Sequence, residues 1–483
     1  MQKFALPVIL LVVLLIYFPV LSAYFSHDDF FHFKASQTDG TLGAFINLFG
    51  FPTFEERGYG FYRPLTREGF FNIYYSLFGL NHIPARVFSL SIHFINIILV
   101  YLFIQKIFRR NNLSLFTAFF FGITAANVGS LYYLAGGIQS LIATNFMLLT
   151  LLLFPRKISF LTFVLALASH ELASIIPVIL LGFAFVKKTI LKNIKLIVLF
   201  FVVLAIFIFL DIVHIGFSSG EGQYQPVFSP RVFVNSLSWY LLWSLGFPEM
   251  LIDFVGPRLS LNQNLMKFWG DYYSGIFLFG GISLIVIAVS IMYLLLQKKS
   301  IFSKKFWFIV LWFPVAIFPV ILLPLHKQTY YLNPALPAFW SIVGFLVLGA
   351  YNHSIRKSKI VAGFLLGAFL AATFCLSLTA ILLAGETYPA ANRGRIAKRL
   401  INDVRGKYPT LPKGAVVYFK NDPDYPKISG DWGGSSKQAA FALNGNDALQ
   451  LLYQDSTLVV IYEDSGLKIP SGNVYPFIAK ISN

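Results

Sequence analysis

The sequence predicts an all-α polytopic membrane protein with a large first extracytoplasmic loop and a small C-terminal α/β domain. Three observations carry this. Of 483 residues, 57% are hydrophobic and only 12% charged, where a soluble domain carries roughly 25% charge. Apolar runs of about 20 residues, enough for a helix to cross a bilayer, recur up to residue 384. From residue 385 onward the composition is that of an ordinary soluble domain. The mean hydropathy of +0.70 excludes a water-soluble enzyme and a disordered or collagen-like chain.

The first run covers 5–24 and reads as a retained helix. A cleaved signal peptide is the alternative, with Leu21-Ser22-Ala23 as a small-residue cleavage site, but Lys3 is its only basic n-region residue. Further runs lie near 85–107, 113–134, 138–154, 158–187, 194–216, 275–296, 306–324, 332–350 and 359–384. The 158–187 stretch is long enough for two short spans with a turn near Ser169. A softer run at 232–247 is a span or an interfacial helix, so ten to twelve crossings are possible. The short connections at 106–110, 156–157, 187–195, 298–305 and 356–359 are basic. All fall on one side if 158–187 counts twice and 232–247 does not cross. The positive-inside bias then predicts eleven spans, N-terminus in the cytoplasm and C-terminus outside.

Two extracytoplasmic portions follow. The first is the loop 25–84, polar, aromatic and glycine-rich. The second is the tail 385–483, giving a division into a membrane unit 1–384 and a soluble unit. In the tail, 391–407 reads as a basic amphipathic helix and 447–453 as a short one. Segments 415–419, 457–462 and 474–481 read as strands. The single cysteine, Cys375, rules out an intrachain disulfide and a Cys-based zinc site. A net charge of +17 would suit nucleic acid, but most Lys and Arg punctuate apolar runs. Membrane lipid is therefore expected as a partner and nucleic acid is not.

Candidate functional residues cluster in the outer layer. Asp28 and Asp29 follow the first span, and carboxylates at a helix C-terminus oppose its dipole. Near a low-dielectric boundary one of them would resist ionisation and the other could act as a base; a polar loop start is the plainer reading. Arg63 and Arg67 suit phosphate, because a guanidinium fork holds two oxygens; lipid headgroups would be bound by the same chemistry. Arg86, His93 and Asn96 lie along the second span, with an interhelical hydrogen bond expected for Asn96. His170-Glu171 sits at the turn inside 158–187. Asp211 and His214 share a helix face and could satisfy each other. His326, Lys327, Tyr330 and Tyr331 open a late span, as a lipid-phosphate site or as an aromatic belt with a snorkelling lysine. In the tail, Gly430-Asp431-Trp432-Gly433-Gly434 is either a sugar-stacking loop or a turn. No Walker motif, nucleophile elbow or His-Glu-x-x-His is present.

These pieces resemble the GT-C type membrane glycosyltransferases. The resemblance is to the protein O-mannosyltransferase-like branch, including bacterial relatives of the transmembrane-and-TPR O-mannosyltransferases. It rests on the Asp28-Asp29 pair, Tyr62-Arg63-Pro64-Leu65-Thr66, Phe78-Gly79-Leu80-Asn81, and the helix with His93 and Asn96. It continues more loosely through Ser169-His170-Glu171 with Pro177, through 240–248 and through 327–337. No TPR array is present. The resemblance implies a sugar donor on a polyprenyl phosphate and an acceptor outside the cell, which is protein, lipid or glycan. It implies Asp28 or Asp29 as the base for the acceptor hydroxyl. Arg63 would position the donor phosphate or order the loop, and Glu171 would be the acidic half of a Lys-Glu pair whose Lys is here His170. Where relatives often carry Gly-Arg, this chain has Gly136-Gly137-Ile138-Gln139. The expected location is a bacterial cytoplasmic membrane, with the site outside. No cofactor is expected, since the lipid carries the activated sugar; a divalent metal is left open. A lipid-linked glycan flippase and a surface-polysaccharide polymerase are the competing readings.

Overall fold

The computed structural model describes residues 4–216, 222–256, 258, 260–297, 303–355, 358–426, 432–470 and 472–481. Parts of the basic connections expected at 298–305 and 356–359 lie outside the described residues, as do Lys3, Gly430 and Asp431.

The chain is mostly helical. Helix α1 (Ala5–Tyr17) runs on through a 3-10 turn, and the short helices α2 (Asp28–Ala35), α3 (Leu42–Asn47), α4 (Phe54–Arg57) and α5 (Phe70–Phe78) build the first loop. Then come α6 (Ile83–Phe108), α7 (Asn111–Ile123), α8 (Val128–Tyr132), α9 (Leu134–Leu153), α10 (Ile158–Leu167), α11 (Ile176–Val186), α12 (Ile194–Phe209) and α13 (Pro230–Leu245). Helices α14 (Gln263–Leu296), α15 (Lys304–Ile321), α16 (Leu336–Ser354) and α17 (Lys359–Thr387) complete the apolar part.

Among the described residues seven helices are long and apolar enough to cross a membrane, or eight if the pair Asn111–Ile123 and Ala125–Tyr132, bent by 48°, is one span. They mark a multi-pass membrane protein. Helix α12 presents Val198, Val202, Ile206 and Phe209 outward, as a lipid-facing helix does. The 158–187 stretch breaks near Ser169, as expected. Its first half, α10, has only 10 residues, about 15 Å at 1.5 Å per residue. The softer run at 232–247 is helical, as α13, but at 16 residues it falls short of a span by length.

The tail forms α18 (Pro389–Lys407), β1 (Val416–Asn421), α19 (Ser435–Leu443), α20 (Asp447–Tyr453), β2 (Val459–Tyr462) and β3 (Val474–Ala479). The strands make a parallel sheet in the order β2-β1-β3. Parallel neighbours need a crossover, and α19 with α20 provides it between β1 and β2. All three expected strands and the helices at 391–407 and 447–453 are present. Helix α19, short and flanked by glycines, was not expected.

The tail does not hang free. Phe25, Phe30 and Phe33 of the first loop share one buried cluster with Leu400, Leu443 and Leu449. All six are fully buried, each worth about 1.5–3 kcal/mol relative to exposure. The first loop is thus packed between the helices and the tail.

A polar chamber where the first loop, the helices and the tail meet

A cavity of about 700 Å3 opens between α2, the segment 58–67, the start of α9, the segment 325–331 and the start of α18. Its size lies within the ~300–1,000 Å3 typical of small-molecule sites.

Asp28 and Asp29 occupy the first turn of α2, not the C-terminal end of the first helix. Here the helix dipole favours carboxylates. Their surroundings are opposite. The Asp28 side chain is 44% exposed and lines the chamber. Its Oδ2 accepts the Tyr133 hydroxyl, and its Oδ1 lies 3.4 Å from His27 Nε2. Asp29 is 0% exposed and staples two backbone segments. It accepts the Ser26 N–H at 3.0 Å and the Ala135 N–H at 2.7 Å. Burial pushes the Asp29 carboxyl up to about 6, against the pull of Arg86 and the two amides. Arg86 in turn donates to the carbonyls of Ala23, Tyr24 and Leu131, fixing the chain entering α2.

His27 joins this helix to the tail. Its N–H donates to the Ala442 carbonyl at 3.0 Å, and its Nδ1 meets the Phe441 carbonyl at 3.0 Å. A carbonyl only accepts, so Nδ1–H donates to it, and Nε2 is the nitrogen turned to Asp28, to which it donates when the ring carries its second proton. The backbone of His27 has φ 47°, a region that favours glycine; the contacts with α19 hold it there. At the other end of α2, Lys34 pairs with Asp447 at 3.2 Å and donates to Gln450. Helix α2 is therefore gripped by the tail at both ends.

The loop arginines are already engaged. Arg63 makes a bidentate pair with Glu171 at 2.7 and 2.5 Å and donates to Gln139 at 2.6 Å. Burial works against its charge, but Glu171 outweighs burial and holds the guanidinium above its ordinary value. Gln139, at the end of the Gly136-Gly137-Ile138-Gln139 run, thus accepts from Arg63. Arg67 is buried; it donates to the Gly60 and Phe61 carbonyls and pairs with Glu68 at 2.6 Å. Arg57 shares that Glu68 oxygen at 3.1 Å, and both guanidiniums stack on Tyr59. Arg63 and Arg67 touch the chamber, but each is already engaged by a carboxylate, Arg63 by Glu171 and Arg67 by Glu68.

The remaining predicted residues divide. His326 and Tyr330 line the chamber; the His326 ring lies 4.6 Å from that of Tyr224, and Tyr330 packs 6.0 Å from Tyr133. Lys327 lines a separate, apolar-walled cavity of about 420 Å3 and donates to Asn235 at 3.2 Å. His93 is buried inside the helices, bonded to the Gly122 carbonyl at 3.1 Å, and does not line the chamber. Asn96 makes the expected interhelical bonds, with the Leu141 carbonyl and Asn145. Asp211 and His214 do not satisfy each other: Asp211 accepts the Tyr62 N–H at 2.7 Å, and His214 meets the Phe51 carbonyl at 2.8 Å. Both pin the first loop. Trp432 and Gly433 do not line the chamber.

Three chamber residues escaped sequence reading. Tyr133 holds Asp28. Arg393, in α18, was one of many cations on a basic helix. Glu249 walls both cavities and accepts the Thr329 N–H at 2.7 Å; burial pushes its carboxyl up to about 7. An isolated carboxylate following the soft apolar run was the available signal for Glu249. Among the described residues no group of three or more His, Cys, Asp and Glu side chains is placed to hold a metal ion.

No protein-family model matches the chain, and no curated protein matches its sequence.

Proposed function

We propose that the chain is a GT-C-like integral-membrane glycosyltransferase that moves a sugar from a polyprenyl phosphate to an extracytoplasmic acceptor, with Asp28 as general base. The observation that carries this reading is the Asp28 carboxylate, open to a polar chamber that adjoins the apolar helices. The Tyr133 hydroxyl and His27 hold that carboxylate in place. Asp29, saturated by backbone amides, has no such access and serves as a staple.

The chemistry follows from the donor. Asp28 takes the proton of an acceptor hydroxyl, and the freed oxygen forms a bond to C1 of the sugar. The bond from C1 to the phosphate oxygen breaks, and its electron pair leaves with the phosphate. The configuration at C1 inverts. No nucleotide is required, because the lipid carries the activated sugar. The apolar-walled cavity shares Glu249, Gln328 and Tyr388 with the chamber and offers room for the start of the isoprenoid. In this reading the chain crosses a bacterial cytoplasmic membrane eleven times, with α10 and α11 as a pair of short spans and the tail outside.

The test uses the full chain in proteoliposomes with undecaprenyl-phosphate-linked mannose and glucose and their diphosphate-linked counterparts. Release of the carrier phosphate is followed. Asp28→Asn should lower the rate by about 10²–10⁴-fold, the typical contribution of a general base. An Asp28→Asn protein working at the wild-type rate, or a wild type that turns over none of these donors, sinks the proposal.

A further inference from the structure

A departing phosphate needs a cation beside it, and the two arginines expected to provide one are already held by carboxylates. Arg63 is bound bidentately by Glu171, and Arg67 lies against Glu68. Lys327 belongs to the neighbouring cavity.

One further guanidinium lines the chamber, that of Arg393, in the second turn of α18. Among the described residues no carboxylate lies within ion-pair distance of it; its contact is the ring of Phe441, 5.8 Å from the guanidinium carbon. Phe441 is the residue whose carbonyl fixes His27 beside Asp28. The cation and the carboxylate are therefore set by the same turn of α19, on one wall of the chamber. Pro389 and Ala390 line that wall too, at a helix start with no side-chain cap. Two residues on, Arg395 differs. It pairs with Glu386 at 3.8 Å, donates to two carbonyls and does not line the chamber. A half-buried guanidinium without a counter-ion at the edge of a polar cavity favours an anionic ligand, and its planar fork matches phosphate oxygens.

We propose that Arg393, contributed by the helix leading into the tail, is the cation that binds the phosphate of the chamber's ligand. The proposal rests on the phosphate-donor reading above. It makes the tail part of the site.

The experiment measures binding of undecaprenyl phosphate, undecaprenol and inorganic phosphate to the full chain in nanodiscs. Wild type, Arg393→Gln, Arg393→Lys and the control Arg395→Gln are compared. Arg393→Gln should weaken undecaprenyl phosphate about 10- to 100-fold, the loss of one or two charge-assisted hydrogen bonds. Arg393→Lys should be intermediate, and Arg395→Gln should match wild type. Undecaprenol, which lacks the phosphate, should bind the Arg393 variants and wild type alike. If wild type prefers undecaprenyl phosphate over undecaprenol and Arg393→Gln keeps the full preference, the assignment to Arg393 is overturned and the donor reading stands. If wild type shows no preference and does not bind inorganic phosphate, both fall. Arg393-dependent binding of inorganic phosphate without the lipid would support the cation and overturn the lipid donor.

Discussion

The two walls of the chamber hold the same kinds of charge in opposite states. On one wall, Arg57 and Arg67 share Glu68, and Arg63 is paired with Glu171 from the turn near Ser169. On the other wall, where α2 meets the tail, Asp28 keeps a partly exposed carboxylate and Arg393 has no carboxylate partner among the described residues. The first arrangement builds a rigid frame; the second leaves groups able to meet a ligand. A charged motif in sequence therefore says where charge lies but not whether a neighbour has already neutralised it.

This contrast can be broken most forcefully at Glu68, which serves two buried guanidiniums through one oxygen. Glu68→Gln should destabilise the protein by about 3–5 kcal/mol, the usual penalty for orphaning a buried ion-pair partner. Chemical or thermal denaturation in detergent measures this. An unchanged midpoint would mean the loop wall is no frame. Glu171→Gln should cost less, about 2–3 kcal/mol, because that pair is partly open to the chamber. Adding Arg63→Gln to Glu171→Gln should recover part of that loss. If Arg63 instead served the ligand, the double variant would be no more stable than the single one and would lose phosphate binding.

A smaller effect sharpens the other wall. His27→Asn keeps a donor for the Phe441 carbonyl but loses the nitrogen facing Asp28. It should lower kcat about tenfold, equivalent to one hydrogen bond, with KM and tail docking unchanged. His27→Gln, whose longer amide reaches toward Asp28, should lose less. Equal losses in both would reduce His27 to a docking residue.

Stability against pH tests the buried carboxyls of the site. Asp29 is raised from 3.8 to about 6 by burial and Glu249 from 4.5 to about 7, also by burial. A carboxyl held higher in the folded state stabilises the fold fully below its unfolded value. That contribution is lost as pH rises through the folded value. The contribution of these two groups should accordingly fall from about pH 4 to 7, opposed by His32, His82 and His170, which burial holds below the ordinary imidazole value. Asp29→Asn should therefore make the thermal midpoint rise more steeply with pH in the lower part of this window and Glu249→Gln in the upper part. A slope unchanged in both variants would contradict the burial of both groups.

Much of this architecture was legible because membrane helices and parallel strands leave long, uniform patterns. The run at 194–216, the break near Ser169 and the strands at 415–419 and 457–462 all follow from hydrophobic length and bounding residues. The site was legible only in part. Asp28, Arg63, Glu171, His326 and Tyr330 were picked out by residue type, and four of these five line the chamber; Glu171 reaches its wall through Arg63. His93 and Lys327 looked equally suitable and are elsewhere. Their helix positions were readable, but the side of the bundle they face was not. Asp28 and Asp29, neighbours in one motif, could not be told apart, because a rotation of about 100° along a helix turns one outward and the other inward.

The amino-acid sequence alone determined that this chain enters a membrane, where its first loop and tail begin, and which strands the tail contains. Those properties depend on local composition and period. Only the tertiary structure decided that the tail closes over α2, that Glu171 and Glu68 engage the loop arginines, and that Arg393 lines the same chamber as Asp28. Such outcomes depend on pairs separated by up to hundreds of residues, and electrostatic partnership is a matter of distance in space, which no spacing along the chain encodes.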